Sequence, residues 1–283
     1  MCKTILITGS TGMIGSHTVN ALLDTGYKVI GLDRRECSID KANYIHYKVE
    51  LSDLLKMKEI IYNNKIDRVI HLAALAHTAG VKDLSYKAYY NANVICSKNI
   101  FNIANECGIP VLFISTVDVY GFTKGVVNAY SPLNPVTEYG KTKELAEKAC
   151  EDICRQYTIF RFSPVYTHEV KRDIQKRYYF KYPNWAYIVG KGTEYEILNI
   201  ENAVSEMVSW CNAEVKNDIR IIKDSERMNT AQYIKLEKEN GRAKHTLHFP
   251  RWLVKFGYMV TRITGKNKYT YLLNKVVNPL RTE

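Results

Sequence analysis

No apolar run in this 283-residue sequence is long enough to cross a lipid bilayer. The longest, WLVKFGYMV at 252–260, is interrupted by a lysine. Met1 leads within three residues into the strand-like run TILIT, which leaves no room for a signal peptide. Hydrophobic residues make up 46% of the chain and charged residues 24%, which is typical of soluble globular proteins. We therefore expect a cytoplasmic location.

The sequence also lacks the cysteine patterns of metal sites and disulfide frameworks. None of its seven cysteines forms a C-x-x-C pair, and Cys150 and Cys154 have a helical spacing instead. His245 and His248 have no acidic or cysteine ligands nearby in the sequence. We expect reduced thiols and no metal site.

Acidic residues are scarce relative to basic ones. The chain has 29 Asp and Glu against 40 Lys and Arg, a formal net charge of +11. This balance favours an acidic partner, which could be a nucleic acid, an anionic membrane surface or a phosphorylated small molecule. No RNA-binding, zinc-finger or helix-turn-helix signature accompanies the basic residues, so we expect no nucleic-acid partner.

The first 165 residues alternate short apolar runs with segments of helical periodicity. The predicted strands are 4–8, 28–32, 44–49, 68–73, 111–115 and 157–162, and the predicted helices are 13–25, 52–63, 86–107 and 136–155. Strict alternation of this kind predicts an α/β fold with a doubly wound parallel sheet of the Rossmann type. The strand-like runs are apolar nearly throughout, as strands buried on both faces should be.

After residue 165 the sequence becomes aromatic, basic and rich in turns. A helix is predicted at 201–213, and 249–281 has the pattern of one or two basic amphipathic helices. We expect a Rossmann domain at 1–165 that binds NAD(P) and a smaller mixed α/β substrate-binding region at 166–283. The C-terminal helices could pack against the substrate region or lie on an anionic membrane surface, a possible peripheral contact.

The stretch TGSTGMIGSH at 8–17 carries the clearest chemical signal. Its glycines have the spacing G-x-x-G-x-x-G, directly after the first predicted strand and at the start of the first predicted helix. Glycines there allow a tight turn and let the backbone approach a pyrophosphate, which then lies at the positive end of the helix. The predicted cofactor contacts in this turn are Gly9, Thr11, Gly12, Met13, Ile14 and Gly15.

Asp33 ends the second predicted strand, eighteen residues after Gly15. An acid at this position accepts a hydrogen bond from a ribose 2′-hydroxyl and repels a 2′-phosphate, so we expect NAD. Arg34 and Arg35 follow directly. An arginine there can hold a 2′-phosphate, and NADP therefore stays open.

The order of these and further motifs resembles that of extended short-chain dehydrogenases/reductases of the NAD-dependent epimerase/dehydratase family, which act mostly on nucleotide sugars. The resemblance runs from residue 3 to about 170, and more loosely to about 210. The further motifs that carry it are VELSD (49–53), HLAAL (71–75), YYNANVICSKNI (89–100), ISTVDVYG (114–121), YGKTK (139–143), RFSPVY (161–166) and AYIVGKGTEYEILNIEN (186–202).

The resemblance implies a set of functional residues. It makes Thr116, Tyr139 and Lys143 catalytic. Besides the glycine turn, it implies cofactor contacts at Asp33, Arg34, Glu50, Leu51, Ala73, Ala74, Asn93, Ser115, Tyr139, Lys143 and Pro164. It implies a nucleotide-diphosphate sugar as substrate, with contacts from Asp118, Arg172 and Arg177, and it implies a homodimer. Glu50 departs from the family pattern, which usually has an aspartate there.

The three catalytic residues also make chemical sense together. Tyr139 and Lys143 are four apart and share a helical face, and Thr116 ends a predicted strand whose carboxyl end borders the ligand crevice of such a sheet. Tyrosine titrates near pH ~10 in water, too high for acid–base work at neutrality. A neighbouring ammonium favours the tyrosinate, and a threonine hydroxyl can orient the reacting oxygen.

The residues after Thr116 bear on the type of reaction. The family's 4,6-dehydratases have Asp and Glu there, whereas this chain has Val117 and Asp118, so dehydration is disfavoured. A 4-keto-sugar reductase and an NAD-dependent 4-epimerase both need only the three catalytic residues. The chain is short for an epimerase of this family, and the sequence therefore favours the reductase, with the epimerase as the alternative. A non-catalytic NAD(P) sensor is disfavoured because Tyr139 and Lys143 are retained.

Overall fold

A central parallel β-sheet organises the structure, a computed structural model that describes residues 3–76, 85–123, 125–167, 172–180, 182–265 and 267–283. Within these residues the sheet has seven strands. In spatial order they are β3 (Tyr44–Lys48), β2 (Lys28–Asp33), β1 (Thr4–Thr8), β4 (Arg68–His71), β5 (Val111–Thr116), β7 (Tyr157–Phe162) and β12 (Asp218–Ile222). The predicted doubly wound α/β fold is confirmed.

Helices cover both faces of the sheet. The helices in the described ranges are α1 (Met13–Asp24), α2 (Leu54–Asn63), α3 (Tyr86–Tyr90), α4 (Cys96–Glu106), α5 (Glu138–Ile153), α6 (Arg172–Gln175), α7 (Ile200–Asn212), α8 (Thr230–Glu239), α9 (Arg251–Ile263) and α10 (Asn267–Val277). Of these, α2, α4 and α5 pack on one face of the sheet, and α1 and α7 pack on the other. A π-helical segment, Asn91–Ile95, joins α3 to α4, and a 3₁₀ turn, Val117–Tyr120, follows β5. None of the helices in the described ranges is both long and apolar enough to span a membrane.

Short strand pairs complete the fold outside the central sheet. They are β6 (Val126–Val127) with β15 (Arg281–Thr282), β8 (Val165–Tyr166) with β11 (Leu198–Asn199), β9 (Ala186–Val189) with β14 (Thr246–Phe249), and β10 (Glu194–Tyr195) with β13 (Met228–Asn229). Only the last of these pairs is antiparallel.

Alternate residues of the buried strands supply two apolar layers. Leu6 of β1 belongs to a cluster with Phe101 of α4, whereas its neighbour Ile7 belongs to a cluster with Leu22 of α1 and Trp210 of α7. Successive side chains of a strand point to opposite faces of the sheet. A strand that is apolar at nearly every position therefore packs against helices on both faces. Burial on both faces explains why the sequence runs were apolar throughout.

Two elements from beyond residue 165 join this part of the structure. Helix α7 packs on α1, and β12 extends the sheet next to β7. A separate apolar cluster forms from Ile174, Tyr178, Ile188, Tyr195 and neighbouring residues. The division into 1–165 and 166–283 stays a prediction, and β12 was not among the predicted strands.

The C-terminal segment ends on the body of the fold. Helices α9 and α10 pack against each other, and β15 then pairs with β6. The hydroxyl of Thr282 donates to Glu196 over 2.8 Å, and Leu280 packs on the cluster around Val119 and Tyr120. The sequence predicted one or two amphipathic helices here, and the structure has two with a terminal strand.

Candidate active site

The glycine turn lies between β1 and α1, where the strand order reverses from β1 to β4. A Cβ on Gly15 would lie 2.1 Å from the carbonyl oxygen of Gly9, and a Cβ on Gly9 would lie 2.9 Å from the amide nitrogen of Ala73. Gly9 also has a positive φ of 72°. Gly12 caps α1 without a side-chain hydrogen bond. The turn therefore places close-packed backbone at the positive end of a helix, where phosphates bind.

The other predicted residues of the turn have different surroundings. The amide of Thr11 donates to the Asp33 carboxylate over 3.2 Å. Met13 is exposed at the start of α1, and Ile14 is half-buried against the apolar layer beneath the turn. Ile14 thus supports the turn from below, whereas Met13 is open to a ligand.

Asp33 ends β2 beside the glycine turn. Its carboxylate also accepts hydrogen bonds from the amide of Arg35 over 3.0 Å and from the Arg35 Nε over 3.4 Å. Burial raises the pKa of Asp33, but the hydrogen bonds from Thr11 and Arg35 outweigh it and hold that pKa below its ordinary value. The carboxylate is therefore ionised at neutral pH, able to accept from ribose hydroxyls and to repel a phosphate. Arg34 is exposed.

Glu50 and Leu51 follow β3 along the same edge of the sheet. The amide of Val49 donates to the carbonyl of Asp33 over 2.9 Å, and Asn99 donates to the carbonyl of Leu51 over 2.9 Å. Glu50 is exposed and Leu51 is half-buried. The first hydrogen bond holds the residue before Glu50 next to Asp33, and the second ties Leu51 to α4.

A buried histidine that the sequence analysis missed connects β1 to β4. The Ser97 hydroxyl donates to the carbonyl of Asn93 over 2.6 Å, so it accepts from Nε2 of His71 over 2.8 Å. Nδ1 of His71 is therefore the acceptor for the Thr8 hydroxyl at 2.6 Å, and Thr8 accepts from the amide of Ala73 at 3.2 Å. Burial, with the nearby Lys143 charge, lowers the pKa of His71 to about 3. The neutral imidazole of His71 thus orients the Thr8 hydroxyl, and this hydroxyl holds the amide of Ala73.

Asn93 holds the loop after β4 from the other side. Its amide nitrogen donates to the carbonyl of Leu75 over 3.0 Å, and its carbonyl oxygen accepts from the amide of Leu75 over 2.6 Å. The same nitrogen lies 3.0 Å from the hydroxyl of Thr142 on α5. Asn93 thereby positions the loop that contains Ala73 and Ala74, of which Ala73 is half-buried and Ala74 exposed.

The first turn of α5 lies against the end of β5. Thr137 caps this helix by accepting from the amide of Gly140 over 2.9 Å. A Cβ on Gly140 would lie 2.9 Å from the carbonyl oxygen of Asp118, so only glycine fits beside Tyr139. The Thr116 hydroxyl accepts from the amide of Asp118 over 3.2 Å at the same turn. The structure therefore brings the first turn of α5, to which Tyr139 belongs, against the turn that follows Thr116.

Lys143 lies one helical turn below Tyr139 and is buried. Its ammonium donates to the carbonyl of Ile114 over 2.5 Å and lies 4.0 Å from the ring centre of Phe113. Burial lowers the pKa of Lys143 to about 7, although the charge of Glu147 acts in the opposite direction. A buried lysine with this pKa can exchange a proton near neutrality.

Glu147 continues the same face of α5. Its carboxylate forms a buried ion pair with Arg161 of β7, at 2.7 Å between Oε2 and Nη2 and 3.1 Å between Oε1 and Nε. Arg161 also donates to the hydroxyl of Tyr120 over 2.8 Å and to the carbonyl of Ala129 over 2.7 Å. This network ties α5 to β7 and to the turn after β5.

Two buried serine hydroxyls lie at the carboxyl edge of the sheet, where a polar cofactor would bind. Oγ of Ser115 and Oγ of Ser163 have no hydrogen-bond partner among the described residues. Ser115 is the penultimate residue of β5, and Ser163 follows β7 directly, before the half-buried Pro164. Unpaired buried hydroxyls at the carboxyl ends of adjacent strands are suited to a bound polar group, so the residues present fit a dinucleotide.

Helix α10 supplies two side chains that were not predicted. Oδ1 of Asp118 accepts from the hydroxyl of Tyr271 at 2.9 Å and from the ammonium of Lys275 at 3.1 Å. Tyr271 meets the ring of Phe122 edge-on, with ring centres 5.7 Å apart. Burial, with the nearby Asp118 charge, raises the pKa of Tyr271, which keeps its hydroxyl protonated as the donor. The four-residue spacing of Tyr271 and Lys275 was a signal available in the sequence.

The remaining predicted substrate residues belong to the α6 region. The guanidinium of Arg177 stacks over the ring of Tyr195 at 4.5 Å, and its buried Nε has no hydrogen-bond partner among the described residues. The positive charge of Arg177 lowers the pKa of Tyr271, but burial and the Asp118 charge raise it by more. Arg172 begins α6, and its side chain lies outside the described part of the chain. The charges of Arg177 and Asp118 therefore change the pKa of Tyr271 in opposite directions.

This chain is similar to a known protein family and to solved structures. The sequence model described as "NAD dependent epimerase/dehydratase family" matches residues 5–207, well over half of the chain. UDP-glucose 4-epimerase 2 of Arabidopsis thaliana is 30% identical over 189 residues, which cover 59% of this chain and 54% of that protein. The chain thus matches about half the length of this curated relative.

Two solved structures have the same fold. UDP-glucuronic acid 4-epimerase from Bacillus cereus, in complex with NAD, has a TM-score of 0.68 at 22% identity and covers 87% of this chain and 89% of its own. dTDP-glucose 4,6-dehydratase from Bacillus anthracis, in complex with NAD, has a TM-score of 0.69 at 18% identity and covers 88% of this chain and 85% of its own. At these identities the likeness extends to the fold alone.

Proposed function

Because this chain belongs to the NAD dependent epimerase/dehydratase family, we propose that it is an NAD-dependent nucleotide-sugar 4-epimerase. The observation that carries the proposal is the close approach of Gly140, in the first turn of α5, to the carbonyl oxygen of Asp118. Gly140 directly follows Tyr139, and Asp118 lies two residues after Thr116. The sequence analysis favoured a 4-keto-sugar reductase, which would use the same residues. The curated relative is a 4-epimerase, and this supports the alternative instead.

The proposed cofactor is NAD. The glycine turn would hold its pyrophosphate, and the ionised Asp33 would accept from a ribose hydroxyl and disfavour NADP. Arg35, which could otherwise bind a 2′-phosphate, already donates to Asp33. Ser115 and Ser163 offer hydroxyls at the opposite end of the crevice. Both solved structures are complexes with NAD.

In the proposed reaction Tyr139 takes the proton of the sugar C4 hydroxyl, while Thr116 holds the same oxygen by a hydrogen bond. Bound NAD⁺ supplies the chemistry of hydride removal and return at C4. The 4-keto sugar would turn over within the site, so that the hydride returns to the other face of C4, and Tyr139 would then give its proton back to the C4 oxygen. The ammonium of Lys143, one helical turn below, favours the tyrosinate electrostatically.

A dehydratase would need an additional acid after the threonine. Val117 has no proton to donate. The carboxylate of Asp118 already accepts hydrogen bonds from the ammonium of Lys275 at 3.1 Å and from the hydroxyl of Tyr271 at 2.9 Å. The residues after Thr116 therefore do not favour elimination of water. They favour hydride exchange at one carbon.

The substrate is proposed to be a nucleotide-diphosphate sugar bound between Thr116 and the region 166–283. Arg177 offers a fixed guanidinium, which suits diphosphate oxygens. Tyr271 and Lys275 would border the sugar from α10. The substrate-binding role of 166–283, the contact of Arg172, the homodimer and the cytoplasmic location stay predictions.

A purified sample tests the proposal in two steps. We expect NAD to survive dialysis and to be released by heat or acid in an amount near one per chain. We then expect the protein to interconvert a nucleotide sugar and its C4 epimer with no added cofactor, as followed by NMR across UDP-glucose, UDP-N-acetylglucosamine and UDP-glucuronic acid. Stoichiometric oxidation of NADH by a 4-keto sugar, with no epimer formed from any substrate, would instead identify a reductase.

A further inference from the structure

Helix α9 exposes a continuous apolar stripe. Trp252, Phe256, Met259 and Ile263 recur at helical spacing and therefore lie along one side of the helix. Ile263 is 84% exposed, Trp252 68% and Phe256 61%. Leu253 and Val260 widen the same side. None of the residues of α9 is buried, so this stripe contributes nothing to the core.

The side of α9 opposite the stripe packs against α10. A Cβ on Gly257 would lie 3.7 Å from Cδ1 of Leu273, which identifies this side of α9 as the contact with α10. The exposed Tyr269 and Leu272 of α10 add to the apolar surface of the hairpin. The stripe therefore faces away from the fold, while α10 directs Tyr271 and Lys275 to Asp118.

The charge around the stripe has one sign. From residue 242 to residue 282 the sequence contains no Asp or Glu. Its basic residues are Arg242, Lys244, Arg251, Lys255, Arg262, Lys266, Lys268, Lys275 and Arg281. On α9 itself Arg251, Lys255 and Arg262 are exposed. An amphipathic helix with large apolar side chains and a basic rim matches the anionic surface of a lipid bilayer.

A second copy of the chain fits this surface poorly. A symmetric contact would place the same patch on both sides of the interface, so the basic rim of one copy would meet the basic rim of the other. Because no acidic residue lies within 242–282, that part of the partner could offer no neutralising charge. Like charges across an interface are costly, whereas lipid phosphates attract the exposed Arg251, Lys255 and Arg262 of α9.

We propose that α9 binds the surface of an anionic lipid membrane, with its apolar stripe at the level of the headgroups and its basic residues against the lipid phosphates. This interaction goes beyond the proposed epimerase function and does not depend on it. The residues of the stripe are exposed, whereas the contact of this hairpin with Asp118 is made by α10. Binding would hold the enzyme where membrane-associated reactions could consume its product.

Vesicle flotation of the intact protein tests the proposal. We expect binding to vesicles that contain phosphatidylglycerol, little binding to pure phosphatidylcholine vesicles, and release at high salt, where charges are screened. The variant Phe256→Glu/Ile263→Glu should lower the partition coefficient by about tenfold or more, because each change removes a large apolar side chain from the contact. The variant Lys255→Glu/Arg262→Glu should weaken binding to anionic vesicles in particular.

The matched control is Leu55→Glu/Tyr130→Glu, which adds the same charges at two other sites that are each 85% exposed. It should float like the wild type, and the melting temperatures of all variants should agree. The proposal is overturned if the wild type does not bind anionic vesicles, or if the stripe variant binds as well as the control. A wild-type dimer that the stripe variant converts to monomers in the absence of lipid would also overturn it, with a second copy as the occupant.

Discussion

Tyr271 and Asp118 are 153 positions apart in the sequence, and their side chains meet in a hydrogen bond of 2.9 Å. The contact joins α10, near the end of the chain, to the turn that follows the proposed catalytic Thr116. Lys275 reaches the same carboxylate oxygen from one helical turn further along α10. The end of the chain is therefore part of the proposed active site.

This relationship predicts a role for Lys275 in substrate binding. In the variant Lys275→Met, α10 loses its ion pair with Asp118, so we expect KM for the nucleotide sugar to rise by about fivefold, as for the loss of roughly 1 kcal/mol from one partly exposed ion pair. The melting temperature should change little. Steady-state epimerase kinetics measure the effect.

Lys255→Met is the matched control, because it removes the same charge from α9 at an exposed position. It should leave KM unchanged in the absence of lipid. Equal KM values for both variants and the wild type would show that the contact with Asp118 has no part in binding.

Removal of the Tyr139 hydroxyl should abolish most of the activity. In Tyr139→Phe no phenol remains to move the proton of the C4 hydroxyl, and we expect kcat to fall by about a hundredfold to ten-thousandfold, the usual contribution of a general acid or base. NAD content and the melting temperature should be retained, since the ring itself remains. A variant with NAD bound and wild-type kcat would remove Tyr139 from the mechanism.

Asp33 should determine the choice between NAD and NADP. In Asp33→Ala the carboxylate that repels a 2′-phosphate is lost, and Arg35 is released to bind one. We expect NAD affinity to fall by at least about tenfold, the cost of one charge-assisted hydrogen bond, and the preference over NADP to disappear. Titration calorimetry of both dinucleotides provides the measurement.

The control for this experiment is Arg34→Ala, which changes the exposed neighbour and leaves Asp33 in place. It should keep the preference for NAD. An Asp33→Ala protein that still excludes NADP would contradict the assignment.

Lys143 should make the stability of the cofactor-free protein depend on pH. Burial lowers its pKa to about 7 in the folded protein, from an ordinary value of 10.5. Between these two values the unfolded chain binds more protons, so the free energy of unfolding rises with pH, by up to about 1.4 kcal/mol per pH unit. Below about pH 7 both states are protonated, and the cost of the buried charge is constant.

The contribution of Lys143 is isolated by comparing Lys143→Met with Lys141→Met, whose lysine lies two residues away and forms an exposed pair with Glu138. Urea unfolding at pH 7, 8 and 9 should show a smaller rise with pH for Lys143→Met than for the wild type and for Lys141→Met. Parallel curves for all three proteins would mean that Lys143 is not buried as a titrating group.

The sequence predicted the parts of the fold that depend on local pattern. Strands β1 and β7 have the predicted bounds, because apolar runs flanked by turn residues mark doubly buried strands. Strand β12 was missed because its sequence, DIRII, alternates charged and apolar residues and lies at the sheet edge, where most of its residues stay half-buried.

The long-range part of the site could not be predicted in the same way. The neutral state of His71 follows from its burial, and its tautomer follows from hydroxyls on two other elements, which no local spacing indicates. The contact of α10 with Asp118 depends on the path of the chain between them. The sequence placed the basic amphipathic helices correctly, but which of them packs on the site and which is exposed follows only from tertiary structure.

The most direct test of the central claim follows one hydrogen atom. A nucleotide sugar that carries deuterium at C4 is incubated with the purified protein in ordinary water, without added cofactor, and its epimer is analysed by NMR. Hydride removal and return at one carbon predicts that the epimer keeps deuterium at C4. Exchange of the label for solvent hydrogen, or no epimer from any of the tested sugars, would contradict the account.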